Sequence, residues 1–526
     1  MFDVIISGGT VIDGSGAPGF RADVGTEGDR ITAVGDLGQA GARRVVDATG
    51  LAVCPGFIDS HAHSEAALLN DPQHAEGLRQ GITTEVLGQD GLSYAPLSAE
   101  NYRLYSRYLD GILGTPPPDL DMSSVEAFRS HYHKKVAINT AYMVPHGAIR
   151  LEAVGFQDTP LVSDSLDKAK RLVREGIEQG AAGFATGLSY HPQAWSDTDE
   201  LVELCKTTEE AGGVYVTHLR DVNVDRAFGG GEIEEALEIG RRSGVKVHFS
   251  HHRTSVVNAG KVSERLELID AAKAGGADIT LELYPYPAGS TFLVSFLPSY
   301  AQDGGPEAIL RRLKDPAERS RIVRELGQNP RRPLTDIILS YLPAAPQLEG
   351  TSLPEVAQDR GVSLGEAVCE LLVEQDLSVG FLGSPPASFG VWRQLNRDFV
   401  EFLSRPDYMV GSDSIHVGSL PHPRGHGAFP RFLGRLRRQF PLMTVEQMVQ
   451  RMTDNPARRF GLAGRGRVEK GHFADLVVFD PEHIIDNATY DDPWQYPNGI
   501  PHVLVNGQVA VDNERCTGVL AGHAVP

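Results

Sequence analysis

Asp59, His61 and His63 occupy alternate positions in the run Pro55-Gly56-Phe57-Ile58-Asp59-Ser60-His61-Ala62-His63. The run follows an apolar stretch, Val45 to Val53, rich in residues that favour strands. Along a strand, side chains at i and i+2 point the same way, so these three share one face. Two imidazoles so placed can grip one divalent ion. A carboxylate beside them can orient an imidazole or add to the charge that holds the cation. Three further strand ends carry groups of the same kind: His218 after Val214 to Thr217, His251 after Val247 to Ser250, and Asp413 after Met409 to Ser412. Asp413 suits two tasks, weak ligation of a metal and acceptance of a proton from an activated water. Asp90 sits in the turn past the strand-like Thr83 to Leu87, where a carboxylate could bridge two metals; it is favoured over Glu85, which points from the strand itself.

Residues this far apart in sequence meet only if their strands converge. Val136 to Tyr142, Gly183 to Gly187, Val214 to His218, Val245 to His251, Ile279 to Tyr284 and Tyr408 to Asp413 read as strands. Between them, Ser165 to Gly180, Asp197 to Ala211, Glu232 to Ser243 and Leu266 to Ala274 read as helices; the first carries Leu166, Ala169, Leu172, Val173 and Ile177 on one side. This alternation predicts an α/β chain built as a (β/α)8 TIM-like barrel, in which strand C-termini gather on one face. Both ends of the chain are β-rich. Val4 to Gly14 reads as a hairpin, and Ala474 to Asp480 and Val503 to Val511 each read as one strand. A small β-sandwich formed by both termini accounts for them.

The expected parts are therefore residues 1–54 and 466–526 for the sandwich and 55–465 for the barrel. Residues 288–350 break the rhythm, with Pro298, Pro330 and Pro333 around a charged helix from Glu307 to Gly327. An insertion after a barrel strand lies at the catalytic face, so it is expected to be lid-like.

Composition excludes other classes. The chain has 526 residues, and 41% of them are hydrophobic, enough for a large barrel with an attached module. A net charge of −20 argues against nucleic acid and against an anionic membrane surface, although local arginines can still hold an anionic substrate. Cys54, Cys205, Cys369 and Cys516 are scattered, with no Cys-x-x-Cys, which points to a reducing cytoplasm. The start, Met1-Phe2-Asp3-Val4-Ile5-Ile6, lacks the basic region of a signal peptide, and no apolar stretch is long enough to span a bilayer.

Taken together, the chain resembles the amidohydrolase superfamily and, within it, the D-aminoacylase (N-acyl-D-amino-acid deacylase) family. The likeness rests on Pro55 to His63, Gly81 to Pro96, Gly180 to Tyr190, Thr217 to Asp221, Ser250-His251-His252, Tyr284 to Thr291, Gly411-Ser412-Asp413, His422-Pro423-Arg424 and Asn455-Pro456-Ala457. The resemblance implies a zinc-dependent barrel with one or two ions. It implies His61, His63, His218 and His251 as ligands and Asp413 as the catalytic aspartate. Where the family usually has a cysteine ligand, this chain has Asp90, which admits harder divalent ions beside zinc. Where the family often has a lysine for the substrate carboxylate, it has Arg253, which adds a bidentate fork. Tyr284 and Ser290 match further carboxylate-binding positions, and Arg424 is another anion contact. The implied reaction cleaves the amide of N-acyl-D-amino acids. A cyclic amide, dipeptide or lactone substrate stays open within the superfamily, as does a non-catalytic protein on a decayed barrel. The expected partner is a small molecule bearing a carboxylate, with no nucleic acid and no membrane; self-association stays open.

Overall fold

Strands rich in β-branched and aromatic residues, buried on both faces, build the centre of the protein, as parallel sheets require. The computed structural model describes residues 1–328 and 333–526; Pro330 of the insertion lies outside the described residues. Eight parallel strands follow one another in chain order: β1 (Phe57–Asp59), β2 (Ile82–Leu87), β3 (Asn139–Pro145), β4 (Gly183–Gly187), β5 (Val214–His218), β6 (Lys246–Phe249), β7 (Ile279–Leu283) and β8 (Tyr408–Val410). The ends of this sheet meet. The Ser60 amide and hydroxyl both donate to the Val410 carbonyl, at 3.3 and 2.8 Å. Ile58, Val86, Met143, Ala185, Val216 and Met409 belong to one buried cluster that fills the barrel interior.

The helices between strands follow the sequence reading closely. Helices span Asp164–Glu178, Thr198–Glu210, Glu232–Ser243 and Val262–Ala274. Asp197 caps the second by accepting from the Glu200 amide, which satisfies a donor the helix start leaves free. Gly183 is obligatory at the foot of β4, because a Cβ there would fall 2.0 Å from the Val214 carbonyl.

Both termini form the sandwich. A four-stranded sheet of N-terminal strands faces a seven-stranded sheet in which Ala52–Pro55 pairs with Leu476–Phe479. Val4, Ile6, Val24, Val53, Leu476 and Leu504 share its core.

Three local readings need correction. Val4 to Gly14 is no hairpin: Phe2–Ser7 and Thr10–Val11 join different sheets, and Gly8, at φ +71°, turns the chain from one to the other. Val503 to Val511 is two strands, His502–Val505 and Gln508–Asp512, joined through Asn506 and Gly507 at positive φ. The charged segment from Glu307 to Gly327 is two helices, Gly305–Lys314 and Pro316–Leu326. Pro316 cannot continue the first, and Asp315 caps the second. After β7 the chain forms a three-stranded sheet from Ser290–Phe292, Ile337–Tyr341 and Gly380–Gly383 before it returns to the barrel. Among the described residues, no helix is long and apolar enough to cross a membrane.

The metal-competent residues cluster at the strand ends, His218 as the last residue of β5 and Asp90, His251 and Asp413 in the turns just beyond. One such turn depends on Gly88, at φ +81°, where a Cβ would lie 2.2 Å from the Met143 carbonyl oxygen. Gly88→Ala is expected to destabilise the fold by about 1–3 kcal/mol from backbone strain alone. Thermal unfolding and metal content should both fall; an unchanged melting temperature would remove this turn from the account.

Candidate metal centre and active site

His61 and His63 converge although the strand bends between them. Their Nε2 atoms stand 3.2 Å apart. Glu282, at the end of β7, sets this arrangement: its Oε1 lies 2.8 Å from His61 Nδ1, which puts the proton there and leaves the Nε2 lone pair facing inward. Asp59 does not touch either ring, contrary to the imidazole-orienting role read from its spacing. Its Oδ1 accepts the backbone amides of His61 (3.1 Å) and Ser412 (2.8 Å). It thereby ties the histidine run to the turn that carries Asp413.

A second pair faces the first. His218 Nδ1 lies 2.9 Å from His251 Nε2, and the Ser189 hydroxyl, 3.1 Å from His218 Nε2, holds the outer edge of that ring. Asp90 stands between the pairs. Its Oδ1 is 3.6 Å from His61 Nε2, and its Oδ2 is 3.8 Å from His63 Nε2, 3.3 Å from His218 Nδ1 and 3.8 Å from His251 Nε2. Two donor clusters result, His61/His63/Asp90 and Asp90/His218/His251, with Asp90 common to both. Asp413 Oδ1 reaches toward the first, 3.3 Å from His63 Nε2 and 3.7 Å from His61 Nε2. Glu85 lies elsewhere, with its Oε1 2.6 Å from His74 Nε2.

Three of these residues hold left-handed backbone: Asp90 at φ +54°, His251 at φ +34° and Asp413 at φ +54°. Non-glycine residues rarely adopt it, and its concentration here is strain held by the surrounding packing. Charge is equally unusual. Burial alone would raise the Asp90 carboxyl, but His61 and His218 outweigh it and hold the group well below the usual carboxylate range. Asp413 is held down in the same way by Arg424 and His61, against burial. Burial pushes His61 down, yet Asp90, Glu282 and Asp413 raise it to about 10. The cluster calls for positive charge at its centre. Imidazole lone pairs that face each other, buried carboxylates and an unpartnered Asp90 Oδ1 suit a divalent cation better than protons do.

A cavity of about 310 Å³ opens on this centre. Tyr284, Ser290 and Arg424 line it together with His63, Asp90, His218, His251 and Asp413. Arg424 is buried, pairs with Asp413 Oδ2 at 2.7 Å and donates to the Ser290 carbonyl at 3.2 Å. Arg253 stands behind this wall. Its guanidinium donates to the Tyr284 hydroxyl (2.8 Å) and to the Pro287 carbonyl (3.2 Å). The Ser290 hydroxyl donates to the Phe381 carbonyl at 2.9 Å. Sequence reasoning missed Glu282 and Ser189. Glu282 carried a readable signal, since it alternates with Tyr284 across the end of a strand; Ser189 in a turn carried none.

A parallel eight-stranded barrel whose strand ends gather four histidines and two aspartates at one centre, open to a cavity, defines a metal-dependent hydrolase. Residues 44–511 match the Amidohydrolase family, and the chain belongs to it. It is 35% identical to a D-aminoacylase of Alcaligenes xylosoxydans xylosoxydans over 100% of this chain and 97% of that one. It is 34% identical to an N-acyl-D-glutamate deacylase of the same organism, over 96% and 93% of the two chains. The crystal structure of an N-acyl-D-glutamate deacylase from Bordetella bronchiseptica, complexed with zinc and a phosphonate mimic of the reaction's tetrahedral intermediate, superposes with a TM-score of 0.82 at 32% identity, covering 100% of this chain and 99% of that one.

Asp90 generates the sharpest expectation. Asp90→Ala should bind at least one metal more weakly and lose activity, whereas Asp90→Cys should keep zinc better than Asp90→Ala, because thiolate is the softer ligand. Metal titrations on the three proteins check this; equal affinity in wild type and Asp90→Ala would reduce Asp90 to a turn residue. Asp59 is tested separately. Asp59→Asn keeps an acceptor for both amides and should stay near wild type, while Asp59→Ala strands two buried N–H groups at about 1–3 kcal/mol each. Parallel denaturation curves for the two variants would contradict the tie.

Proposed function

We propose that the protein is a zinc-dependent N-acyl-D-amino-acid deacylase, which cleaves the amide to a carboxylate and a free D-amino acid. The observation that carries the reading is the shared placement of Asp90 between two histidine pairs, beside Asp413 and an arginine-lined wall, in a chain similar over its whole length to two D-amino-acid deacylases. His61, His63, His218 and His251 would hold the metal, with Asp90, common to both donor clusters, and Asp413 as the carboxylates that would complete its site. One or two zinc ions fit the donor set, and the extra carboxylate admits another divalent metal. When bound, the metal polarises the scissile carbonyl and eases deprotonation of water at neutral pH.

The protein's own groups do the rest. Arg253, Tyr284, Ser290 and Arg424 fix the α-carboxylate, and that anchor sets whether the α-hydrogen or the side chain faces the wall, hence the D preference. Asp413 is charged at neutral pH and able to accept a proton. It takes one from the attacking water as the carbon–oxygen bond forms, then returns it to the nitrogen as the carbon–nitrogen bond breaks. Gly289, Thr291, Phe296, Phe381 and Gly383, from the excursion after β7, roof the cavity, which supports a lid role for that insertion. Division of the chain into 1–54, 55–465 and 466–526 fits the same account. The net charge of −20 and the scattered cysteines favour a cytoplasmic protein that binds neither nucleic acid nor membrane.

A chirally resolved screen of N-acyl amino acids on zinc-loaded protein tests the reading: D-derivatives should be hydrolysed and L-derivatives spared. Removal of metal by chelation should abolish turnover, and zinc should restore it. Asp413→Asn should fold and largely keep its metal, yet lose about two to four orders of magnitude in kcat, the scale of an acid–base group. Wild-type turnover in that variant would move the base elsewhere.

A further inference from the structure

Asp90 can serve both histidine pairs only if its turn is held against each of them. Toward the β1 run, Gln89 Nε2 donates to the Ser60 carbonyl at 2.9 Å, and Glu65, which follows that run, accepts the Gly88 amide at 2.8 Å. Toward the β4–β5 side the turn is met by Gln193, a fully buried residue in the short helical turn Gln193–Trp195 beyond β4. Its Nε2 donates to the Asp90 carbonyl at 2.8 Å, and its Oε1 accepts the Gly187 amide at 2.9 Å. These partners fix the two ends of the side chain, since a carbonyl needs the NH2 group and an amide N–H needs the oxygen.

Gly187 ends β4 and stands opposite His218 in the parallel register of β4 and β5. One residue further, the Leu188 amide donates to the His218 carbonyl at 3.1 Å. Gln193 therefore spans from the backbone of Asp90 to the strand end that flanks His218. The side chains of those two residues approach to 3.3 Å. The fit is close: a Cβ on Gly187 would lie 2.4 Å from the Asp90 carbonyl oxygen, and one on Gly91 would lie 2.2 Å from Gln193 Oε1. Asp90 also holds φ at +54°, a backbone state that persists only where its surroundings enforce it. A hydrogen bond at the carbonyl of that same residue is such a restraint.

We propose that Gln193 is a positioning residue for the metal centre: it sets Asp90 against His218 and thereby raises the affinity of the Asp90/His218/His251 cluster for a divalent ion. Both bonds of its amide go to backbone, so its effect reaches the metal through Asp90 rather than by contact. The inference rests on the reading of Asp90 as a donor common to both clusters.

The test is zinc affinity, read by competition between the full chain and a chromophoric chelator, in a double-mutant cycle with Asp90. Gln193→Met keeps the length of the side chain and removes both bonds. It should bind zinc about tenfold more weakly, the scale on which groups that orient a ligand act. In an Asp90→Ala background the same change should cost no more than about twofold, because the carboxylate through which Gln193 acts is gone. Equal losses in the two backgrounds overturn the inference, since a general loosening of the fold weakens both alike. Gln193→Glu is the conservative control. Burial keeps its carboxyl protonated, so it offers an oxygen and an O–H to the same two partners and should stay within about threefold of wild type. A loss as large as that of Gln193→Met would show that these bonds do not set the affinity, and would equally overturn the inference. Should Gln193→Met fail to fold, Gln193→Asn, one methylene shorter and unable to span both partners, replaces it in the cycle. If Asp90→Ala alone binds zinc as wild type does, the reading of Asp90 falls and takes the inference with it; additive losses leave that reading standing and remove Gln193 alone.

Discussion

Asp90 faces four imidazoles from three directions, and the rest of the active site is arranged around that meeting. Its Oδ1 lies within 4 Å of His61 Nε2, and its Oδ2 lies within 4 Å of His63 from the β1 run and of both His218 and His251 from the β5–β6 side. Such closeness is unfavourable for chains that have only their own charges to balance. Buried carboxylates repel one another, and imidazoles resist protonation away from water. The arrangement persists because the barrel imposes it. Residues from β1, β2, β5, β6 and β8 have no other place to go once the strands close, and a cation at the centre relieves both kinds of strain at once. The left-handed backbone at Asp90, His251 and Asp413 belongs to the same bargain. Turns of that shape aim short side chains back over the barrel mouth, and the close-packed strands beneath them hold the turns in place.

Much of this was legible in the sequence, and the reasons are particular. Glu232–Ser243 matches its sequence reading residue for residue, because an acidic start and a glycine stop bracket a clear apolar period. The strand that ends at His218 matches too. Buried parallel strands are short apolar runs that stand out between helices. The cluster of candidate donors was visible for the same reason: polar groups at the ends of such runs have no structural excuse. What failed were relations that depend on distant partners. Val4 to Gly14 has the local look of a hairpin, yet its halves pair with Asp23–Glu27, Ala42–Asp47 and Ala52–Pro55. The Asn506-Gly507 turn carried its own signal and could have been read. Asp59 could not. Its alternation with His61 and His63 implies a shared face, but the strand ends at Asp59, and the carboxylate turns to backbone amides on both sides of the barrel seam.

That seam explains why the two halves of the chemistry stay in register. β1 carries the first histidine pair and β8 leads to Asp413, and they are the first and last strands of the barrel, more than three hundred residues apart in sequence. Besides the Asp59 bonds, the Asp413 amide donates to the His61 carbonyl at 2.7 Å, and Ser414–Ile415 pairs in parallel with Ala62–His63. Asp413 is thus fastened to the His61–His63 run by backbone contacts. Side-chain substitutions elsewhere can reshape the cavity without shifting one relative to the other.

Arg424 completes the logic from the opposite side. It touches Asp413 through one nitrogen and, through the other, the Ser290 carbonyl in the cavity wall. A guanidinium so shared cannot serve both carboxylates with its full strength. Before substrate arrives, it holds Asp413 charged. On the proposed reading, a substrate carboxylate would draw part of its attraction away, and Asp413 would become a better proton acceptor as a proton is to be taken. A lysine with a single charged nitrogen could hold one partner or the other; the forked side chain holds both and lets their balance shift. Substrate anchoring and base strength would then be one electrostatic adjustment, made by a residue that itself exchanges no proton.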